Sequence, residues 1–350
     1  MEYHASSANF VSAFFTLAEK SNHIVITGHE SADDDSLSSV LSIFHLLISR
    51  YPEKNIRMCY TGEAENRFAI FQNYSQIEFS EDMANILGKT DLLIMLDGGD
   101  FGRFSHHPEI LKKIPHTICI DHHASQPDSF SLSLIIPTSP ACSQIVYQTF
   151  FANQKIDKNL AEIFLWGILG DTGNLVYLKP FQIDTLAIIQ KLLEISQIEI
   201  QEFLAGYQSI SQKILSVVLE FIKNTRFITI AGWPPLQYSF IDQDYMKSNQ
   251  LSDNQISEAG HLYGSEYVRT ITGYTWGFVL TPRSDGNVNI SCRSLPKSVN
   301  VRILMEKMKI GGGHDRASGG TFVRGNEPLD IAPCLEQTFT WLKNNTPVLG

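Results

Sequence analysis

The sequence is poor in cysteine, in positive charge and in long apolar runs, and each shortage removes a class of protein. Cys59, Cys119, Cys142, Cys292 and Cys334 form an odd set of five without a short-spaced pair, so no disulfide framework is expected and a reducing cytosol fits best. Cys59 and Cys119 stand inside apolar runs, where a reduced thiol behaves as a small hydrophobe. Lys and Arg total 27 against 37 Asp and Glu, a formal charge of −10, which argues against a broad basic face gripping long nucleic acid by counterion release. An anionic ligand must then be met by a local device. No run reaches the roughly 18 apolar residues of a membrane span, and no internal repeat or low-complexity tract is visible. The opening MEYHASSANFVSAFF has no basic leader, and polar residues soon break its apolar stretch. It reads as an amphipathic helix rather than a signal peptide. A cytoplasmic protein with no membrane partner and no long nucleic acid partner is the expectation.

What is present suffices for two cores. The 350 residues are 43% hydrophobic, 11% aromatic and 18% charged, a globular composition, and at roughly 150 residues per domain they divide into about two domains. From about residue 20 to 180, the β-rich runs HIVIT (23–27), IRMCY (56–60), LLIMLD (92–97), TICID (117–121) and LSLII (132–136) alternate with helical patterns at 36–50, 81–88, 141–152, 159–169 and 183–195. Continuous hydrophobicity in LLIML and TICI predicts strands buried on both faces of a parallel sheet. The expected fold class is α/β, a doubly wound parallel sheet, with ligands beyond the carboxyl ends of its strands. This first domain is placed at 1–195, a helical linker at 196–225, and a smaller α+β domain at 226–350, the texture changing at Gly232-Trp233-Pro234-Pro235. The second domain carries strand patterns at 237–241, 267–280 and 287–294, a helix at 299–309 and a Gly-rich loop at 311–320.

Four polar motifs follow apolar runs. Gly28-His29-Glu30-Ser31-Ala32-Asp33-Asp34-Asp35-Ser36 stands after a strand and opens a helix. One Asp or Ser would serve as an N-cap. Three consecutive Asp with a His four positions upstream instead crowd negative charge at the end of a buried sheet, which favours a cation. Asp97-Gly98-Gly99-Asp100-Phe101-Gly102-Arg103 follows LLIML. Its Asp97 can reach the same crevice, although alone the motif could be a turn, and Arg103 at its end is a candidate substrate contact. Asp121-His122-His123 ends another strand, and Gly170-Asp171-Thr172-Gly173 ends the helix AEIFLWGIL. His106 and His107 precede a proline in a polar stretch and read as solvated, and His45 reads as a core histidine.

These ends together offer mixed nitrogen and oxygen donors. Mg²⁺ seldom takes imidazole and Zn²⁺ sites usually carry fewer carboxylates, so Mn²⁺ is the first choice, ahead of Co²⁺, Fe²⁺ or Mg²⁺. Two such ions about 3.5–4 Å apart generate hydroxide near neutral pH and clamp the leaving oxygen of a phosphoester. Hydrolysis at phosphorus is the chemistry implied. The last motif, Gly311-Gly312-Gly313-His314, follows the helix VRILMEKMKI. A helix C-terminus explains one glycine; three in a row and then a histidine fit a backbone that presents N–H groups to a phosphate. Arg293, just upstream, could join them or pair with a surface carboxylate.

In this order the motifs resemble the DHH phosphoesterase family, named for the triplet that falls on Asp121-His122-His123, and more closely its two-domain branch with a GGGH-bearing DHH-associated C-terminal domain. The resemblance implies a Mn²⁺-dependent enzyme that degrades short single-stranded oligoribonucleotides to mononucleotides and converts the small nucleotide 3′-phosphoadenosine 5′-phosphate (pAp) to AMP. It implies that His29 and Asp33 hold one ion, that Asp35, His122 and Asp171 hold a second, and that Asp97 bridges both. His123 would contact the scissile phosphate or act as acid near the leaving group, and Asp121 would orient the histidines. Arg293-Ser294 and Gly311, Gly312, Gly313 and His314 would hold the far end of the substrate. The string ESADDDS is reminiscent of exopolyphosphatases and pyrophosphatases of the same superfamily, and cleavage of pApA or cyclic di-AMP needs the same centre, whereas the GGGH motif pulls toward nucleotides. Asp34 replaces a usual Gly and is expected to point to solvent or to water. A nucleotide-binding module without turnover is the alternative of another class, although such relatives usually lose metal ligands. Helical stretches near the junction would suit a homodimer.

Overall fold

The computed structural model describes every residue except 1, 31, 65, 124–127, 202–204 and 206–208. Ser31 of the first motif and part of the expected linker thus lie outside the described residues. The chain divides into two compact units, Met1–Tyr207 and Gln208–Gly350, a division that falls inside the 196–225 stretch.

In the first unit β1 (His23–Gly28), β2 (Asn55–Thr61), β3 (Ile77–Ser80), β4 (Leu92–Leu96), β5 (His116–Asp121) and β6 (Leu132–Ile135) lie in the order β3-β2-β1-β4-β5-β6, every neighbouring pair parallel. This is the doubly wound parallel sheet expected. The chain runs outward from β1 to β3, then returns to the other side of β1 with β4. The reversal sets the topological switch point between β1 and β4, where such sheets bind ligands beyond their carboxyl ends. Alternate residues of the central strands enter two cores: Ile24, Ile26, Leu92, Ile94 and Leu96 face one, while Val25, Leu93 and Met95 face the other. A strand buried on both faces has no place for a polar side chain, hence LLIML. Long helices Glu2–Lys20, Asp34–Arg50, Lys158–Asp171 and Thr185–Ser196 close the larger core. Shorter segments carrying Met83, Leu87, Phe101, Phe104 and Leu111 cover the opposite face.

The helix expected over 81–88 is only a 3-10 turn, Met83–Asn85. Asp82 explains it: the carboxylate accepts from Ala84 N–H (2.9 Å), Ser105 Oγ (2.6 Å) and His106 N–H (2.8 Å), pinning the segment to the loop after β4. All five cysteines are buried and free, and no described helix is long and apolar enough to cross a membrane.

Helices Asp34–Arg50 and Lys158–Asp171 pack at close range. Ser38 Oγ donates to Ile163 O at 2.7 Å, and a Cβ added at Gly167 would lie 2.5 Å from Ser143 Oγ and 2.6 Å from Ser38 Cβ. At Gly170 an added Cβ would strike Asp34. Asp34 therefore does not point to solvent: it is 7% exposed and packs on Gly170, because the first turn of its helix faces the neighbouring helix there.

The second unit holds β7 (Arg226–Ile228), β8 (Leu236–Phe240), β9 (Trp276–Pro282), β10 (Val288–Ser294), β11 (Gly311–His314) and β12 (Ala317–Phe322) in the order β11-β12-β10-β9-β8-β7. Only β8 and β9 pair in parallel. The 311–320 stretch is a hairpin rather than a loop, Gly311 paired with Gly320 and His314 with Ala317. Glycine makes it feasible: a Cβ at Gly311 would collide with Gly319 O, and Gly313 has φ 134°. Residues 267–275 are not a strand. A capping box of Ser252 and Gln255 starts a helix, Asp253–Glu266, that occupies the preceding chain, and β9 begins only at Trp276. Helix Gln212–Lys223 belongs to this unit, burying Ile214, Val217 and Phe221 with Ile256, Tyr263 and Val279.

Gly167→Val is expected to lower the unfolding free energy by about 1–3 kcal/mol, as overpacking does, read as a lower urea midpoint. Because the two helices carry Asp35 and Asp171, it should also weaken divalent-ion binding in a titration. An unchanged midpoint would show that the helices separate at no cost.

Candidate metal centre

Each charged side chain enters the crevice from the end of a different element. β1 hands over to His29, β4 to Asp97 and β5 to His122 and His123. Helix Lys158–Asp171 ends on Asp171, while helix Asp34–Arg50 has Asp33 as its N-cap and Asp35 in its first turn. Gly28 pairs with Leu96, so the next residues out, His29 and Asp97, meet at the switch point with Nε2 3.4 Å from Oδ2.

Two trios form around that meeting. In the first, His29 Nε2 lies 3.1 Å from Asp33 Oδ2 beside Asp97. In the second, His122 Nε2 lies 3.3 Å from Asp171 Oδ2 and 3.9 Å from Asp35 Oδ2. Asp97 stands between them, Oδ2 toward His29 and Oδ1 3.4 Å from His122 Nε2. Asp33 both caps and faces the centre: Oδ1 accepts from Ser36 N–H at 2.9 Å while Oδ2 meets His29.

Neighbouring backbone fixes these groups. Asp35 accepts from Cys142 N–H (2.5 Å) and Ser143 N–H (2.8 Å), the first turn of helix Cys142–Val146, where exposed N–H groups favour an anion. His29 Nδ1 lies 2.8 Å from Glu30 O, and His122 Nδ1 3.3 Å from Ser139 O. A carbonyl only accepts, so Nδ1 carries the proton in both rings, and a neutral ring then turns the lone pair of Nε2 toward carboxylate oxygens. Lone pair facing lone pair is repulsive unless a cation sits between them, a proton on Nε2 in the ion-free protein or a divalent ion in its place. Asp97 adds two further signs: it is 2% exposed with Oδ1 lacking a hydrogen bond, and its φ of 63° is left-handed, a conformation that costs about 1–3 kcal/mol in a non-glycine residue. The donor set fits divalent ions.

Electrostatics agree. Burial opposes charge on every group here. The Asp33 and Asp97 carboxylates nevertheless hold His29 well above its ordinary value, and Asp171 and Asp97 do the same for His122. Burial and the Asp97 and Asp171 charges push Asp35 well up. Burial, with Asp97 and Asp33, pushes Asp171 up to about 6 against the pull of His122. Asp171 also ends its helix, where the backbone dipole disfavours an anion. Asp97 is held well below the carboxylate range, its burial outweighed by His122 and His29.

Asp121 Oδ1 accepts from His122 N–H (2.8 Å), His123 N–H (3.1 Å) and His123 Nδ1 (2.7 Å), locking the turn that presents both imidazoles. His123 Nδ1 is also 3.5 Å from Asp97 Oδ1. Arg103 lies outside both trios; its carbonyl accepts Glu30 N–H at 2.7 Å, tying the turn after β4 to the loop after β1. His106 is 59% exposed as expected, yet pairs with Glu30 at 3.2 Å.

The second unit gathers its own candidates. Arg293 is buried in β10, Nη1 donating to Ser291 Oγ and to Cys292 O at 3.0 Å each. Ser294 is buried with no hydrogen bond to Oγ. Arg293 and His314 both pair with Ala317 of β12, so they flank it in one row, and His314 is exposed at the hairpin end. The supports from Cys142, Ser143 and Ser139 were not anticipated from sequence, although Ser139-Pro140 before an apolar run is a helix-start signal.

In the ion-free protein, Asp171 has a folded pKa above its ordinary 3.8. The stability it confers is complete below that value and is lost as pH rises through about 6. A divalent ion binds the ionised form and cancels the loss. The rise in Tm on adding Mn²⁺ is therefore expected to be small near pH 5 and larger by about pH 7.5; a pH-independent rise would contradict it. Asp97→Asn should weaken both ions in a titration, whereas His29→Ala should weaken one.

Residues 23–168 match the model of the DHH family, N-terminal domain. The chain is 24% identical to the "probable bifunctional oligoribonuclease and PAP phosphatase NrnA" of Streptococcus mutans, over 88% of this chain and 92% of that protein. It is 25% identical to the "bifunctional oligoribonuclease and PAP phosphatase NrnA" of Bacillus subtilis, over 89% and 93%. In fold it resembles the crystal structure of an exopolyphosphatase-related protein from Bacteroides fragilis, with TM-score 0.78 and 21% identity over 96% of this chain and 97% of that one. Residues 23–168 thus match the N-terminal domain of the DHH family, and the two His/Asp trios gather at the switch point of the sheet that this stretch forms.

Proposed function

We propose that this chain is a Mn²⁺-dependent phosphoesterase of the cytoplasm that hydrolyses short single-stranded oligoribonucleotides to mononucleotides and pAp to AMP. Asp97 carries the proposal: one strained, buried carboxylate stands between two His/Asp trios, the arrangement that a pair of divalent ions requires. The names borne by the Streptococcus and Bacillus relatives support the substrate class, and the mixed imidazole and carboxylate donors support Mn²⁺. Ions held by His29, Asp33, Asp97, Asp35, His122 and Asp171 would supply Lewis acidity and a water of lowered pKa.

The chain's own groups do the rest. His123 Nδ1 donates to Asp121, so the doubly protonated ring would give its Nε2 proton to the leaving oxygen and end as the neutral Nδ1–H tautomer. Asp121 holds the tautomer. Arg103, Arg293, Ser294 and the backbone of Gly311, Gly312 and Gly313 with His314 would bind substrate phosphates.

Purified protein with Mn²⁺ should release mononucleotides from labelled di- to pentaribonucleotides and AMP from pAp, and chelation or Asp97→Ala should abolish both. His123→Ala should lower kcat by roughly 10²–10⁴-fold. Orthophosphate release from polyphosphate alone would favour the exopolyphosphatase reading that ESADDDS raises. No turnover of any phosphoester with any divalent ion would sink the enzyme assignment.

A further inference from the structure

One fully buried polar side chain near the first trio has no part in the proposed chemistry. Tyr60, next to last in β2, is 0% exposed, and its ring stacks on Phe79 of β3 with 5.7 Å between centroids. Packing accounts for the ring. It does not account for the hydroxyl, which a phenylalanine would omit and whose burial costs free energy unless it is hydrogen-bonded. Burial, with the charges of Asp33 and Asp97, pushes the phenol well above its ordinary value against the pull of Ser36, so the group stays a hydrogen-bond donor.

The chain makes room for that hydroxyl. The parallel register of β1 and β2 runs from His23 beside Asn55 to Ile26 beside Met58, and two residues further it sets Gly28 beside Tyr60. A Cβ on Gly28 would collide with Tyr60 Oη and lie 2.8 Å from Ser36 Cβ. Gly28 does not adopt a positive φ, so its missing side chain serves this contact rather than a turn.

Tyr60 Oη donates to Ser36 Oγ at 3.4 Å. Ser36 is in turn bound to Asp33 three times: its Oγ accepts from Asp33 N–H at 3.2 Å and donates to Asp33 O at 3.4 Å, and its N–H donates to Asp33 Oδ1 at 2.9 Å. A hydroxyl donates once and accepts twice, so Tyr60 completes the bonding of Ser36 Oγ and fixes where that oxygen points. With Oδ1 held by Ser36, Asp33 turns Oδ2 to His29 Nε2. Asp33 is also the carboxylate that packing restrains least: its side chain is 49% exposed, against 22% for Asp171, 3% for Asp97 and 1% for Asp35.

We propose that Tyr60 is a positioning residue for the first ion, holding the Asp33 carboxylate toward His29 through Ser36 Oγ. This role rests on the assignment of the two trios as ion sites. Groups that back a metal ligand are typically worth 10–100-fold in metal affinity, and Tyr60, one bond further out, should be worth less.

Calorimetric titration of the ion-free full chain with Mn²⁺ tests it. The parent protein should bind two ions. Tyr60→Phe, which keeps the ring and its stack on Phe79, should weaken one of them about fivefold, the worth of one hydrogen bond, and leave the other as in the parent. Ser36→Ala should weaken the same ion by about tenfold or more, and Ser36→Thr, which keeps Oγ, should restore it. Tyr60→Phe should then cost nothing further in the Ser36→Ala background, where the oxygen it acts through is gone, nor in the His29→Ala background, where the affected ion is already weakened and the remaining ion should bind as before. A tyrosine that only fills the core would change both affinities together or neither. Both ions bound as in the parent, both weakened alike, or a further loss on Ser36→Ala overturns the positioning role while the two-ion centre stands. A parent chain that takes up no divalent ion overturns the centre and this role with it.

Discussion

The first unit is organised around one unfavourable arrangement, a buried aspartate crowded by other carboxylates. Asp97 sits in left-handed backbone at the end of a fully buried strand, with Oδ1 unbonded and His29 and His122 on either side. Nothing in the packing of the sheet calls for a charge there. A hydrophobic residue would close the crevice at lower cost, since a buried ion is expensive unless compensated. Persistence of strain, unmet hydrogen-bond capacity and like charges at one point is what a site built for cations looks like before the cations are considered.

The surrounding structure fixes the direction of several of those charges by backbone, beside the imidazoles that face them. Asp35 is gripped by the N–H groups of a helix start, Asp33 by its own helix, Asp121 by three N–H donors, and the His29 and His122 rings each by a carbonyl. Backbone partners fix direction without neutralising the carboxylates, so the negative potential remains for an incoming ion. The glycines at 167 and 170 let the helices that carry Asp35 and Asp171 approach to the distance at which these aspartates converge. The second unit carries a buried arginine in a sheet row and a glycine-rich hairpin beside it.

Much of this was legible along the chain. The unbroken apolar runs at 92–96 and 117–120 gave a two-sided buried sheet, and polar residues immediately after them gave the crevice. Legibility failed where a single tertiary bond overrode local pattern. The 81–88 stretch reads as helical, yet the Asp82 carboxylate reaches Ser105 and His106 and holds it as a turn. The 267–275 stretch is β-rich, yet follows a capped helix that places it in a connecting segment. The 311–320 glycines read as a loop because glycine usually disfavours strands, but a hairpin this tight admits little else.

By itself the sequence determined residue types and the strand ends that carry them: which positions offer imidazole or carboxylate, and that they follow buried strands. It also assigned Asp34 to solvent, where the structure buries it. Only the tertiary structure decided which oxygen faces which nitrogen, that Asp33 caps with one oxygen while its other meets His29, and that Asp97 lies between two trios rather than in a turn. The reason is physical. Periodicity and burial act through neighbours along the chain, whereas the centre depends on contacts between residues as distant as Asp35 and Ser143, and those distances exist only once the sheet order and the helix spacing are set.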